Sequence, residues 1–198
     1  MTLIAAGTVV AADGVHRPGW IETSSDRIVG CGAGAPPRPA DVDYPDAVVV
    51  PGFVDMHVHG GGGASYTDGV ADEFVCAARF HRSRGTTTTL ASLVTAAPGE
   101  LLRQVTALTE ATNAGVVAGI HLEGPWLSSA RCGAHDAAQL RDPDPVEIEA
   151  LLTAADGAIR MVTIAPELPG SDEAIRLLAD AGVVVAVGHT DASYQQAR

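Results

Sequence analysis

Apolar and polar positions along the chain change rhythm near residue 50. Before it, short apolar runs at Leu3–Ala5, Thr8–Ala11, Trp20–Thr23, Arg27–Cys31 and Ala47–Val50 are cut by turn signals at Asp13-Gly14, Pro18-Gly19 and the Gly32–Pro39 loop. Short β-favouring runs broken by Gly and Pro predict a small all-β layer over residues 1–50. His16 falls beside one of these turns and is expected to be solvated rather than functional.

From Val50 onward strand-length apolar runs alternate with helical periodicity. Phe53–Val58 reads as a buried strand, and Val70–Arg84 as a helix with Val70, Phe74, Ala77, Ala78 and His81 on one face and Gly85 as its stop. A Thr-rich strand follows at Thr86–Val94, then a helix at Glu100–Thr112 opened by Pro98 and a strand at Val116–Glu123. After a long loop, Asp144-Pro-Val-Glu147 forms a capping box with Pro at the first helical position. The pattern continues with a strand Ile159–Ala165, a helix Asp172–Ala181 capped by Ser171, and a strand Val183–Gly188; the chain ends inside the helix expected next. Such alternation means a parallel sheet, either open and doubly wound or closed as a barrel. The barrel is favoured, because the candidate chemical groups sit at the C-terminal ends of the first, third and fifth strands, and a closed ring brings alternate strand ends to one centre. The fold class is therefore α/β, with residues 51–198 as the first five strands of a (β/α)8 barrel; a whole barrel takes ~250 residues, so the chain reads as the N-terminal part of a longer protein.

Composition narrows the functional classes. With 46% hydrophobic residues in 198, the chain can bury a sizeable core. Its formal net charge of −12 argues against nucleic acid or an anionic membrane as partner, because either demands a basic patch. No apolar run reaches the ~18 residues of a membrane span, and Cys31, Cys76 and Cys132, odd in number and widely spaced, suit a reducing cytoplasm. All twelve cationic residues are Arg. Without Lys, Schiff-base chemistry, a P-loop lysine and a carbamylated-lysine metal bridge are excluded within this segment.

The candidate chemistry clusters at strand ends. His57 and His59 alternate to the same side at the end of a strand, before four glycines, which is a chelating arrangement suited to zinc and related divalent ions. Glu123 lies two residues after His121 at the third strand end, where a carboxylate beside imidazoles is a natural ligand. His189 ends the fifth strand after Gly188 and is a further ligand candidate. His121 lies deeper and is expected to orient Glu123 by a hydrogen bond rather than touch an ion. His81, on a helix face, reads as structural. The Leu127–Asp142 loop is long for a βα connection and follows a proposed ligand, so it reads as a lid or substrate loop; Cys132 within it reads as a small loop residue without a role.

Pro51-Gly-Phe-Val-Asp-Met-His-Val-His59, Gly119-Ile-His-Leu-Glu-Gly-Pro-Trp126, Gly133-Ala-His135 and Val187-Gly-His-Thr-Asp-Ala192 together resemble the N-acetylglucosamine-6-phosphate deacetylases of the amidohydrolase superfamily. The resemblance covers the whole chain, and it implies that the leading β layer is part of a β-sandwich domain. It makes Glu123 and His189 metal ligands, Ala134 and His135 contacts to the amino sugar, and His57 and His59 the pair that some members use for a second ion, so one or two ions are implied, with zinc foremost. It places a further metal-ligand histidine, the Asp acting as general acid/base and the phosphate contacts beyond Arg198, so no catalytic acid/base is expected within this segment and the segment alone is expected to be inactive. The implied activity is deacetylation of a small phosphorylated amino sugar, N-acetylglucosamine 6-phosphate, by a cytoplasmic enzyme, homodimeric when whole. Two other readings stay open: an amidohydrolase acting on an N-acyl amino acid or cyclic amide, and a non-catalytic barrel scaffold.

Overall fold

The structure, a computed structural model, describes residues 1–198 as two compact units, Met1–Gly52 and Phe53–Arg198.

The first unit holds β1 (Thr2–Ala11), β2 (Gly14–His16), β3 (Gly19–Ser24), β4 (Arg27–Ala33) and β5 (Val42–Val49). They form one sheet in the order β2-β1-β3-β4, with β5 added parallel to β1 and the other pairs antiparallel. The runs Leu3–Ala5 and Thr8–Ala11 prove to be one strand. Between them the register against β5 shifts at Gly7, where a Cβ would lie 2.2 Å from the Pro45 carbonyl oxygen, so glycine permits the close approach that keeps the strand continuous. β5 begins earlier than the apolar run Ala47–Val50 suggests, because Val42-Asp-Tyr-Pro-Asp carries no apolar alternation yet still pairs with β1 from Val42. His16 departs from expectation: its side chain is only 16% exposed, and its Nε2 lies 3.1 Å from Asp13 Oδ1.

In the second unit β6 (Phe53–Val58) leads through a glycine hairpin, β7 (Gly60–Gly61) and β8 (Ala64–Ser65), to α1 (Ala71–Arg82). Then come β9 (Thr86–Val94), α2 (Pro98–Asn113), β10 (Gly119–Glu123), α3 (Pro145–Ala155), β11 (Ile159–Ile164), α4 (Ser171–Asp180) and β12 (Val184–Val187). The five long strands are all parallel and lie side by side in chain order, β6-β9-β10-β11-β12. A doubly wound sheet reverses direction partway. Here every crossover steps to the neighbouring strand in the same direction, and with the right hand that such connections take, the helices share one face and the sheet curls as a barrel wall. Outward-facing Ile120, Leu122, Val162 and Ile164 join Leu101, Val105, Leu108, Ile148, Leu151 and Leu178 of the helices in one core, each such side chain contributing ~1.5–3 kcal/mol on full burial. The opposite face, toward the barrel axis, carries Ser92, His121, Glu123 and Thr163.

Three helix ends differ from the sequence pattern. Asp144 caps α3 as expected, accepting from the Val146 amide at 2.9 Å, but Glu147 does not complete a capping box; its carboxylate takes the Arg141 guanidinium instead. The cap of α4 is Gly170 at φ +86°, and Ser171 sits inside the first turn, buried, donating to the Ala165 carbonyl at 2.8 Å. After β12 the expected helix is limited to one turn, in which the amides of Gln196 and Ala197 donate to the Ser193 carbonyl. The long loop contains two single 3-10 turns, Ser129–Arg131 and Ala137–Gln139, which apolar periodicity does not signal.

Candidate metal centre

Alternation along β6 carries His57 and His59 to the same side, and their Nε2 atoms lie 3.1 Å apart. The chain can turn away immediately because Gly60, at φ +153°, would bring a Cβ within 2.2 Å of the Ala64 carbonyl oxygen, a position only glycine fills. His81 reaches from α1 to donate its Nε2–H to the Gly60 carbonyl at 2.9 Å, which gives it the structural place expected of it.

Glu123, at the end of β10 and 7% exposed, is the hub. Its Oε2 lies 3.2 Å from His57 Nε2, 3.0 Å from His59 Nε2 and 3.5 Å from His135 Nε2, while Oε1 lies 3.1 Å from His189 Nε2. The carboxylate therefore stands between two overlapping groups, His57–His59–Glu123 and Glu123–His135–His189. Burial alone would raise its pKa, but hydrogen bonds from His59 and His57 and their charges hold the carboxyl well below the usual carboxylate range. Reciprocally, the Glu123 hydrogen bond raises His59 against the opposing effect of burial. Four-coordinate zinc with N and O ligands at ~2.0–2.1 Å sets neighbouring donors ~3.3 Å apart, close to the spacings here.

Backbone partners decide what each imidazole can do. His59 Nδ1 faces the Ser92 carbonyl at 3.1 Å and His189 Nδ1 faces the Arg131 carbonyl at 2.8 Å. A carbonyl only accepts, so both Nδ1 atoms carry a proton; Nε2 is the nitrogen turned to Glu123, and once His59 gives up the Nε2 proton it donates there, the ring is in the tautomer a metal ligand needs. His135 is the reverse case. Its Nδ1 accepts the Thr95 amide N–H at 3.3 Å, with the Thr95 hydroxyl at 2.9 Å, so in the neutral ring Nε2 carries the hydrogen and faces the cleft as a donor. Burial lowers its pKa and favours that neutral ring. His189 adopts φ +49°, rare for a non-glycine residue, and Gly133 packs on its ring, with a Cβ there falling 3.2 Å from His189 Cε1.

His121 does not bond to Glu123. Fully buried, it uses Nδ1 on the Ser92 hydroxyl at 2.9 Å and Nε2 on the Thr163 hydroxyl at 2.8 Å, and its ring lies edge-on to His57 at 4.7 Å between centroids. Both nitrogens are occupied, so it acts on the site through Ser92, whose hydroxyl also accepts the Val58 amide at 3.0 Å and whose carbonyl holds His59. Burial, then the neighbouring His57 charge, pushes its pKa down to about 4.

A cleft of about 520 Å3 opens above these groups, lined by His57, His59, Glu123, His135, His189 and, from the long loop, Ala134 and Asp136. All the sequence-derived candidates thus gather here, with His121 beneath. Cys132 is in the loop but in neither group of donors; its Sγ lies 3.8 Å from the Gly133 carbonyl. Sequence reasoning passed over Ser92 and Thr95, which sit in a strand noted only for β propensity. The signal was available for Ser92, which pairs in register with His121 and shares its inward face. It also passed over Glu167, whose carboxylate takes the Thr190 hydroxyl and the Asp191 amide just after His189, and the Arg131–Asp191 pair at 2.7 Å that closes the loop over the same segment.

A partial barrel whose strand ends converge on imidazoles and one buried carboxylate is the architecture of a metal-dependent hydrolase. Residues 48–198 match the Amidohydrolase family, and the chain belongs to that family. Within it, the chain is 55% identical to N-acetyl-D-glucosamine-6-phosphate deacetylase from Mycobacterium smegmatis, superposing with a TM-score of 0.97 over 99% of this chain and 52% of that one. An aspartate-to-alanine mutant of the Mycobacterium smegmatis deacetylase, solved in complex with N-acetyl-D-glucosamine-6-phosphate, superposes with a TM-score of 0.96 over 98% of this chain and 51% of that one, again at 55% identity. It is 32% identical to N-acetylglucosamine-6-phosphate deacetylase of Bacillus subtilis over 93% of this chain and 49% of the relative. It is equally 32% identical to N-acetylgalactosamine-6-phosphate deacetylase of Escherichia coli O157:H7, over 91% and 49%. The chain spans about half the length of the curated relatives it matches.

Proposed function

We propose that the protein carrying this chain is a metal-dependent deacetylase that hydrolyses N-acetylglucosamine 6-phosphate to glucosamine 6-phosphate and acetate. The observation that carries the reading is the Glu123 carboxylate, set between two groups of imidazoles with His59 and His189 held by backbone carbonyls in the ligand tautomer. The donor set fits a borderline divalent ion, zinc foremost; Glu123 and His189 would hold one ion, and His57 and His59 with Glu123 would hold a second. Bound there, such an ion would supply a water with its pKa lowered toward ~7 and would polarise the amide carbonyl.

The chain's own residues supply the rest. The Ala134–Asp136 segment lines the cleft beside Glu123 and is placed to seat the amino sugar. His135, with its Nε2–H directed into the cleft, donates to an oxygen of the bound substrate, and Thr95 keeps that hydrogen on Nε2. His121, neutral and fully bonded, keeps Ser92 in position and with it His59. The acid/base Asp, one further ligand and the phosphate contacts are assigned to the part of the relatives' length that this chain does not span. The resemblance implies a cytoplasmic homodimer, and three free cysteines suit a reducing compartment; no helix is long and apolar enough to cross a membrane.

The test is steady-state kinetics of the whole, metal-replete protein with N-acetylglucosamine 6-phosphate, N-acetylgalactosamine 6-phosphate, an N-acetyl amino acid and a cyclic amide. The reading expects the highest kcat/KM with N-acetylglucosamine 6-phosphate. Preference for the amino acid or cyclic amide would overturn the substrate assignment, and no turnover of any of them would favour a non-catalytic barrel.

A further inference from the structure

Asp13, His16 and Cys31 form a third group of donors, and it belongs to the N-terminal β unit rather than to the barrel. Two pieces of chain supply it, the β1–β2 hairpin and β4. Asp13 lies in the turn joining β1 to β2, His16 is the last residue of β2, and Cys31 lies within β4. Their donor atoms all lie within 4.8 Å of one another. His16 Nε2 is 3.1 Å from Asp13 Oδ1, and Cys31 Sγ is 3.6 Å from the same oxygen.

We propose that Asp13, His16 and Cys31 form a binding site for a borderline-soft divalent cation of the zinc type, separate from the centre at Glu123. Tetrahedral zinc with N and O donors at ~2.0–2.1 Å and a thiolate at ~2.3 Å sets N and O ~3.3 Å apart and S and O ~3.5 Å apart. The observed separations match both edges to within a few tenths of an ångström. Three protein ligands leave a fourth position for water, and a thiolate in the set selects zinc-like ions over magnesium and calcium.

The ligands are held by packing that does not depend on an ion. Gly30 and Gly32 flank Cys31 and lie against the Trp20 ring, where a Cβ would come to 3.2 and 3.1 Å of ring carbons. Alternation therefore sends the Cys31 side chain to the face away from Trp20. His16 is fixed by Gly19, where a Cβ would meet the His16 Cβ at 2.8 Å, so this backbone approach sets the ring against Asp13. Without an ion the three groups are linked as Asp13 accepting from the thiol and from the imidazole. Binding releases the Cys31 thiol proton to solvent as the sulfur–metal bond forms, so affinity rises with pH.

The experiment titrates cobalt(II) into the whole, metal-stripped protein and follows the near-ultraviolet thiolate-to-cobalt absorption. The His and Glu donors around Glu123 give no such band, so the outcome is independent of the deacetylase reading. The expected result is a saturable thiolate band that disappears in Cys31→Ser, persists in Cys132→Ser and Cys76→Ser, and requires at least tenfold more cobalt in Asp13→Asn or His16→Gln. Circular dichroism of Asp13→Asn, an exposed site, checks that the sheet is intact. No thiolate band in the wild-type protein, or a band that survives Cys31→Ser, overturns the proposal.

Discussion

Replacing His135 with alanine separates the two ways an imidazole can serve this site. Its Nδ1 is committed to the Thr95 amide, leaving Nε2–H as a donor 3.5 Å from Glu123 Oε2. Removing the ring deletes one donor to a bound substrate oxygen but leaves Glu123 with His57, His59 and His189 at 3.2, 3.0 and 3.1 Å. An unmade hydrogen bond in a water-poor site costs about 1–3 kcal/mol, which corresponds to a fall of roughly 5- to 150-fold in kcat/KM. The assay is kcat/KM on N-acetylglucosamine 6-phosphate for the whole protein, with ion content measured by elemental mass spectrometry on the same sample. Ion content should equal the wild type, whereas His189→Ala, which removes an Nε2 lone pair, should lose ion as well as activity. Loss of ion from His135→Ala would mean that Nε2 is a ligand and that Nδ1 carries the hydrogen, donating it to the Thr95 hydroxyl rather than accepting from the Thr95 amide. A change of less than twofold in kcat/KM would remove His135 from substrate binding.

Glu123→Gln keeps the shape but removes the charge shared by both groups; a fall of about 10³ in ion affinity is expected, ~4 kcal/mol, in line with leaving buried charges uncompensated, and undiminished ion occupancy on dialysis would sink the hub assignment. The double variant His57→Asn, His59→Asn should lose one ion per chain and keep the one between Glu123 and His189; unchanged stoichiometry would leave the pair only water or substrate to orient. Ion affinity should climb with pH through and above the ordinary histidine range near ~6.5, because His59 holds its proton more tightly in the fold and must release it to bind; a flat affinity between mildly acidic and alkaline pH would contradict this. In the ion-free protein the sign differs by group. The Glu123 contribution is present above the unfolded carboxyl pKa of ~4.3 and lost as pH falls below it, while the His59 contribution is full below ~6.5 and fades as pH rises, so chemical denaturation across pH should show stability falling toward both sides.

Much of the barrel wall was legible because its signals are local. Thr86–Val94 has the predicted bounds, since a β-branched run between Gly85 and a Pro-led helix leaves little choice. The ligand candidates were legible for a related reason: alternation alone puts His57 with His59 and His121 with Glu123 on common faces, and a parallel sheet brings strand ends together. What escaped was whatever depends on a partner far along the chain. Glu147 has the spacing of a capping box, but Arg141 competes for it and wins with a charge-assisted pair. His121 has the spacing to support Glu123, yet Ser92 and Thr163 lie in the adjacent strands and engage both of its nitrogens. His16 looked solvated because turns usually are; Cys31 and Asp13 meet beside it only once the sheet is assembled.

The same distinction separates the substitutions around the candidate ligands that matter from those that do not. His189 is oriented by the Arg131 carbonyl, not by the Arg131 side chain, so Arg131→Ala removes only a surface pair with Asp191, worth ~0–1 kcal/mol, and leaves the acceptor in place. Gly133 is different. It holds φ +59°, where an alanine costs about 1 kcal/mol, and its added Cβ would press on His189 Cε1 from 3.2 Å. The ring must then yield by a few tenths of an ångström, along with an Nε2 that now stands 3.1 Å from Glu123. Gly133→Ala should therefore weaken ion binding at Glu123 and His189 severalfold and lower stability by ~1 kcal/mol, while Arg131→Ala does neither. Ion titration and denaturant unfolding of the two variants give the comparison. Equal ion affinities would show that the loop backbone does not set the His189 ring, and that the tautomer inferred from the Arg131 carbonyl is incidental to binding.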